Sequence, residues 1–116
     1  MDHGVRGEAT ALVPVAEVEA LGGGGPFTAG ERAYASSKSD PARRLAARLA
    51  AKRAASEALG GIGLEEVEVV RFPGGPPRLR LGPGATAALH ARGATRTMVS
   101  LTHGVEHAAA VVLLLA

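Results

Sequence analysis

The 116-residue sequence contains no cysteine and no tryptophan, and its only aromatic residues are Phe27, Tyr34 and Phe72. Without cysteine there are no disulfides, no thiol nucleophile and no thiolate metal site. With so few rings, the core must be built from Ala, Val and Leu, whose small side chains each yield little transfer energy. A chain of this size buries only about two-thirds of its unfolded surface, so a core this thin is expected to be completed by burial against other copies of the chain. The rings are also too few to stack single-stranded nucleic acid, and no helix-turn-helix or zinc-finger spacing is present. Thirteen cationic side chains against eleven carboxylates leave a net charge of only +2. Nucleic acid is therefore not an expected partner. Long hydrophobic runs are missing too. The longest, Ala108 to Ala116, has nine residues, where a membrane span needs about 20. The polar start, Met1 to Glu8, has no apolar segment of the signal-peptide kind. A soluble, cytoplasmic protein with no membrane partner is the expectation.

What is present is 47% apolar and 21% charged residues, a globular balance, and the length suits a single domain over residues 1–116. Ala9 to Val18 reads as a strand passing into a short helix, with Pro14 at an edge or a strand end. Gly22 to Gly25 reads as a linker, because four glycines cost too much entropy in a helix. Thr28 with Glu31 spells a capping box. The strongest helix signal runs from Pro41 to Leu59, with Asp40 as N-cap, Pro41 at its first position and Gly60 past its end. Leu45, Leu49 and several alanines form its apolar stripe, while Arg44, Arg48 and Lys52 repeat every four residues on another face. Such a stripe is ordinarily solvated surface; the alternative is a groove for an acidic or phosphorylated partner.

Glu66 to Arg71 and Arg78 to Leu81 alternate apolar with charged residues around Gly74-Gly75-Pro76-Pro77, a hairpin pattern. Thr86 to Arg92 reads as a short helix closed by Gly93. Thr97 to His103 and His107 to Leu115 form a second hairpin around Gly104-Val105. The order of elements predicts an α+β fold with an antiparallel sheet. His103-Gly-Val-Glu-His107 also spells an inverted zinc-protease motif. That motif needs both histidines on one helix face, and Gly104 with its β-branched neighbours indicates a turn, so no metal is expected there.

Several strings resemble one family, the small holo-acyl-carrier-protein synthases, which are 4′-phosphopantetheinyl transferases. Arg48 to Gly60 (RLAAKRAASEALG) resembles the family's signature helix, Arg-Phe-Ala-Ala-Lys-Glu-Ala and onward. Phe27 to Tyr34 resembles the segment before it, Gly75 to Leu81 its Gly-Lys-Pro hairpin, and Val99 to His103 its C-terminal Ser-His hairpin. The resemblance runs from about Val13 to the end. It implies a 4′-phosphopantetheinyl transferase-like fold, with an antiparallel sheet packed against one long and several short helices. It further implies a homotrimer with active sites between subunits, and transfer of the phosphopantetheine arm of coenzyme A to a carrier-protein serine with magnesium held by two acidic residues. The first-strand aspartate of the family is Pro14 here, with Glu8 as an alternative ligand if the gap is shifted. The glutamate after Ala-Ala-Lys is Arg53, and the lysine one turn later is Glu57. Arg53 and Glu57 therefore read as an i, i+4 pair, either an ordinary surface pair or a guanidinium in the metal's place with Glu57 as its counter-ion. Where the family's first helix carries arginines that dock an acidic carrier protein, this chain has Glu17, Glu19 and Ala20.

From this follow His103, Glu57 and Arg53 as candidate catalytic groups, and Arg48 and Lys52 as candidate cofactor-binding groups. No metal ligands and no obligatory cofactor are expected, although coenzyme A or a pantetheine-linked ligand fits the resemblance. The main functional expectation is a repurposed, metal-independent biosynthetic enzyme. It would use acid–base chemistry on a pantetheine-linked or small apolar substrate, free or on a carrier protein, at a subunit interface. The alternatives are an authentic transferase with a rebuilt magnesium site, and a non-catalytic binding homologue. Arg53, Glu57 and His103 are expected to share one pocket closed by a neighbouring subunit. Assembly is expected to bury part of Val111 to Leu115, and Val112→Asp to weaken it.

Overall fold

Val5–Pro14 forms strand β1, which ends at Pro14 because a proline supplies no ladder N–H beyond it. Helix α1 (Val15–Ala20) follows directly, then α2 (Ala29–Ser36), α3 (Pro41–Ala58), a 3-10 turn (Leu64–Glu66), β2 (Val67–Arg71), β3 (Pro77–Leu81), α4 (Pro83–Ala91), β4 (Arg96–His103) and β5 (His107–Leu115). This computed structural model describes residues 4–116. Of the expected polar start, Met1, Asp2 and His3 lie outside the described residues, while Val5 to Glu8 belongs to β1. No helix among the described residues is long and apolar enough to cross a membrane.

The strands form an antiparallel three-stranded sheet in the order β1-β5-β4 and a separate β2-β3 hairpin. Helix α3 lies across one face of the larger sheet. Its length follows from the high helix propensity of Ala, Leu, Arg and Lys, with Pro41 at its first turn. It closes as the sequence predicts: Gly60 takes φ +89°, its N–H donates to the Glu57 carbonyl, and Gly61 N–H donates to the Ser56 carbonyl at 2.7 Å. Asp40 occupies the N-cap position, yet its carboxylate accepts from Arg44 Nε at 2.9 Å rather than from the helix backbone.

The core is built from alanine. Ala46, Ala47, Ala50, Ala51, Ala54 and Ala55 of α3 are fully buried beside Val13, Ala108, Ala110 and Val112 of the sheet. Small side chains on both sides let the helix approach the sheet closely, so the scarcity of aromatics becomes tight packing rather than a void. The opposite sheet face carries Leu12, Met98 and Val111, all exposed, in a register that pairs Leu12 with Ala109 and Met98 with Leu113.

This face corrects one expectation. Val112 points into the core and is 0% exposed, whereas Val111 points outward. An unpaired carboxylate at Val112 removes the fold rather than the assembly. Val112→Asp is expected to cost roughly 3 to 5 kcal/mol and to abolish the cooperative thermal transition seen by circular dichroism, while Val111→Asp preserves it.

Candidate active site

The capping box read from the sequence sits at the centre of the site. Thr28 N–H donates to Glu31 Oε1 at 2.8 Å, and Glu31 N–H donates to Thr28 Oγ1 at 3.1 Å. Glu31 does more than cap. Its Oε1 also accepts from Lys52 Nζ at 2.9 Å, and its Oε2 accepts from the Val69 N–H at 2.8 Å. Glu31 is 1% exposed and Lys52 0%. One carboxylate thus ties α2, α3 and β2 together in the interior. The Thr28 hydroxyl donates to Glu68 Oε2 at 2.6 Å and Arg80 Nη1 donates to Glu68 Oε1 at 3.1 Å, which carries the network to β3.

One turn away on each helix stand Tyr34 and Arg48. The Arg48 guanidinium carbon lies 4.0 Å from the centre of the Tyr34 ring, a cation–π distance. Arg48 is 3% exposed, and its Nε has no hydrogen-bond partner among the described residues. Lys38 Nζ lies 5.2 Å from the same ring. Tyr34, Lys38, Arg44, Arg71, Phe72, Pro73 and Gly74 line a cleft of about 430 Å³ beside this pair. Burial pushes the Tyr34 phenol up, but the charges of Arg48, Arg71, Arg44 and Lys38 outweigh it and hold the phenol below its ordinary range. Burial also pulls the Arg48 guanidinium below the usual arginine range, partly offset by Tyr34. The nearby carboxylates are engaged: Glu31 holds Lys52, and Asp40 holds Arg44, whose hydrogen bond keeps the Asp40 carboxyl below the usual range. A buried guanidinium with an unsatisfied donor, beside exposed cations and a ring, suits a phosphorylated ligand.

The expected residues are distributed differently. Lys52 is sealed in the core by Glu31 and presents no surface to a cofactor, and Arg48 is buried with it, so the basic stripe on α3 is not a solvated face. Arg53 pairs with Glu17 of α1, not with Glu57: Nη1 donates to Glu17 Oε1 at 3.2 Å and Nη2 donates to Oε2. The Arg53 hydrogen bond outweighs a small desolvation effect and holds the Glu17 carboxyl below its ordinary range. Glu57 is exposed. His103 ends β4 at the hairpin whose Val105 lines a cleft with Asp40 and Pro41, at the start of α3. From Asp40 to Arg53 the helix rises about 20 Å. One chain therefore does not bring His103 together with Arg53 and Glu57.

The positions that the resemblance assigns to magnesium do not fit a cation. The Pro14 ring carries no donor atom, and Arg53 is itself a cation held by a carboxylate. Glu8 lies six residues before Pro14, about 20 Å along the strand, where it pairs with Leu113 on the face turned away from α3. No group of three or more His, Asp or Glu side chains that could hold a metal occurs among the described residues.

The buried pair yields a direct test. Glu31→Gln keeps the shape but leaves the Lys52 ammonium uncompensated, and is expected to destabilise the fold by about 3 to 5 kcal/mol in urea denaturation. Adding Lys52→Met to that variant is expected to recover most of the loss. Additive losses would show that the two charges do not depend on each other.

No protein-family model matches the chain. A holo-[acyl-carrier-protein] synthase of Nitratidesulfovibrio vulgaris is 51% identical over 80 residues, which span 65% of this chain and 64% of that protein. The same-named protein of Syntrophotalea carbinolica is 39% identical over 92 residues, 75% of this chain and 72% of the relative. Among solved structures, the holo-[acyl-carrier-protein] synthase of Neisseria meningitidis superposes with a TM-score of 0.81 at 24% identity, covering 96% of this chain and 98% of the other. A complex of the Chronobacterium ammoniagenes protein with coenzyme A superposes with a TM-score of 0.77 at 27% identity, covering 94% and 96%. With the predicted α+β architecture in place and these relatives matched over most of its length, the chain belongs to the holo-acyl-carrier-protein synthase family.

Proposed function

We propose that this chain is a 4′-phosphopantetheinyl transferase that binds coenzyme A through the cationic cleft and passes its phosphopantetheine arm to a carrier-protein hydroxyl. The observation that carries the reading is the buried Arg48, stacked on Tyr34 with a free donor and flanked by Lys38, Arg44 and Arg71. Coenzyme A offers a 3′-phosphate and a diphosphate, and the solved relative in complex with coenzyme A supports that ligand. In the transfer, the acceptor oxygen forms a bond to the phosphorus bearing the arm, the phosphoanhydride P–O bond breaks, and 3′,5′-ADP leaves. The hydroxyl proton needs an acceptor, and His103, at the end of β4, is the imidazole assigned that part.

The site is completed between copies of the chain. The exposed sheet face with Leu12, Met98 and Val111 provides the apolar contact for a homotrimer. This reading displaces the expectation of a repurposed enzyme built on His103 and Glu57, since the named relatives are holo-acyl-carrier-protein synthases and Glu57 lies exposed on α3 far from His103.

Incubation with coenzyme A and apo carrier protein is expected to add one phosphopantetheine arm to the carrier, read by mass spectrometry. Arg71→Ala, an exposed change, is expected to weaken coenzyme A binding by roughly tenfold or more while leaving the circular dichroism spectrum intact. Unmodified carrier protein together with wild-type affinity in Arg71→Ala would overturn the reading.

A further inference from the structure

An acceptor hydroxyl on a second protein has to be held beside the cationic cleft. Helix α1 does not suit an acidic partner, because its only charged residues are Glu17 and Glu19. The β2-β3 hairpin does. Its strands carry three arginines, Arg71, Arg78 and Arg80, against one carboxylate, Glu68. Glu68 stands opposite Arg80 and Val70 opposite Arg78, so these four share the face turned away from the core, while Val67 and Val69 are buried on the other. Glu68 already accepts from Arg80 and from the Thr28 hydroxyl. Arg78 is exposed and has no ion pair among the described residues. Phe72, directly after β2, is 57% exposed, whereas the other two rings of the chain are half-buried. The hairpin is also held in place: Val69 N–H donates to Glu31 Oε2, and Glu68 is tied to Thr28 at the start of α2.

We propose that the outward face of the β2-β3 hairpin docks the acceptor protein, with Phe72 and Val70 meeting an apolar ridge of the partner and Arg78 and Arg80 meeting carboxylates on either side of it. The inference rests on the reading of the chain as a transferase and names the chemistry that holds its second substrate: an acidic, amphipathic protein helix. Arginine and aromatic side chains around an apolar centre are the composition of protein-interface anchors, and an unpaired guanidinium binds a planar carboxylate without first giving up a partner. One ring and one half-buried valine offer too little apolar surface to hold a bilayer. Phe72 links this face to the chemistry. It lines the cleft of Tyr34 and Arg71, and it also lines a shallow depression of about 240 Å³ with Val70, Arg78, Leu79 and Arg80. A helix seated in that depression therefore lies next to the cleft that holds coenzyme A.

Two measurements on the full chain test the face, with apo acyl carrier protein as the probe. In steady-state transfer assays, Arg78→Glu is expected to raise KM for the carrier by about tenfold, while coenzyme A affinity by calorimetry stays within about twofold of wild type. Arg78→Lys keeps the charge and is expected to retain most of the carrier affinity. That variant also sets an amine on the face, and a carbodiimide is expected to join position 78 to a carrier carboxylate, located by mass spectrometry of the linked peptides. Arm transfer with an unchanged carrier KM in Arg78→Glu and no link through position 78 would overturn the inference and leave the transferase reading intact. A fall in carrier KM in Glu19→Arg, with Arg78→Glu unchanged, would place docking on α1 and overturn it as well. A link through position 78 without any arm transfer would uphold the docking face and overturn the transferase reading. Phosphatidylglycerol vesicles that bind wild type but not Arg78→Glu, with equal carrier KM in both, would identify a lipid surface and overturn the inference.

Discussion

Everything in the cleft depends on one buried charge pair. Lys52 and Glu31 lie inside the protein with essentially no exposed surface, and removing two such ions from water costs several kcal/mol each unless their bonds are replaced. Here they are: the carboxylate accepts two backbone N–H bonds besides the ammonium. The consequence is geometric. With Glu31 fixed on Lys52, α2 has one orientation against α3, and Tyr34, one turn further along α2, comes to rest on Arg48, one turn back along α3. The interior rung is neutral and closed; the next rung is cationic, with Arg48 Nε buried and unpaired.

That division separates structural charge from functional charge on a single helix. Arg44, Arg48 and Lys52 repeat every four residues, yet each has a different fate. Lys52 is neutralised by Glu31, Arg44 is held by Asp40, and Arg48 has an aromatic face but no carboxylate on it. A site for a phosphorylated ligand needs cations whose counter-ions have not already been supplied by the fold. Around Tyr34 the excess of Arg48, Arg71 and Lys38 meets that need.

Much of this was legible in the sequence because it is local. The capping box at Thr28 and Glu31, the glycine stop after α3, the strand end at Pro14 and both hairpins follow from neighbouring residues, and the structure shows all of them. The misreadings arise where a partner comes from far along the chain. Spacing pairs Arg53 with Glu57, but Glu17, from a separate helix, reaches it instead. The α3 repeat looks solvated until Glu31, 21 residues before Lys52, is placed beneath it. The strand β5 is apolar on both faces although only one packs against α3, so alternation does not tell Val111 from Val112. Tyr34 stands out as the single tyrosine, though its role depends on four cations drawn from α3, from β2 and from the segment after α2.

The single tyrosine also provides the most direct test of the central claim, that coenzyme A binds among these cations. With no tryptophan in the chain, the absorbance of the ionised phenol near 295 nm reports Tyr34 alone. In the free protein the surrounding arginines and lysine stabilise the phenolate against burial, so the phenol ionises at lower pH than an ordinary tyrosine. A bound phosphate cancels that field, and saturating coenzyme A is expected to move the titration to higher pH. A phenol titration that is unchanged by saturating coenzyme A would contradict the account.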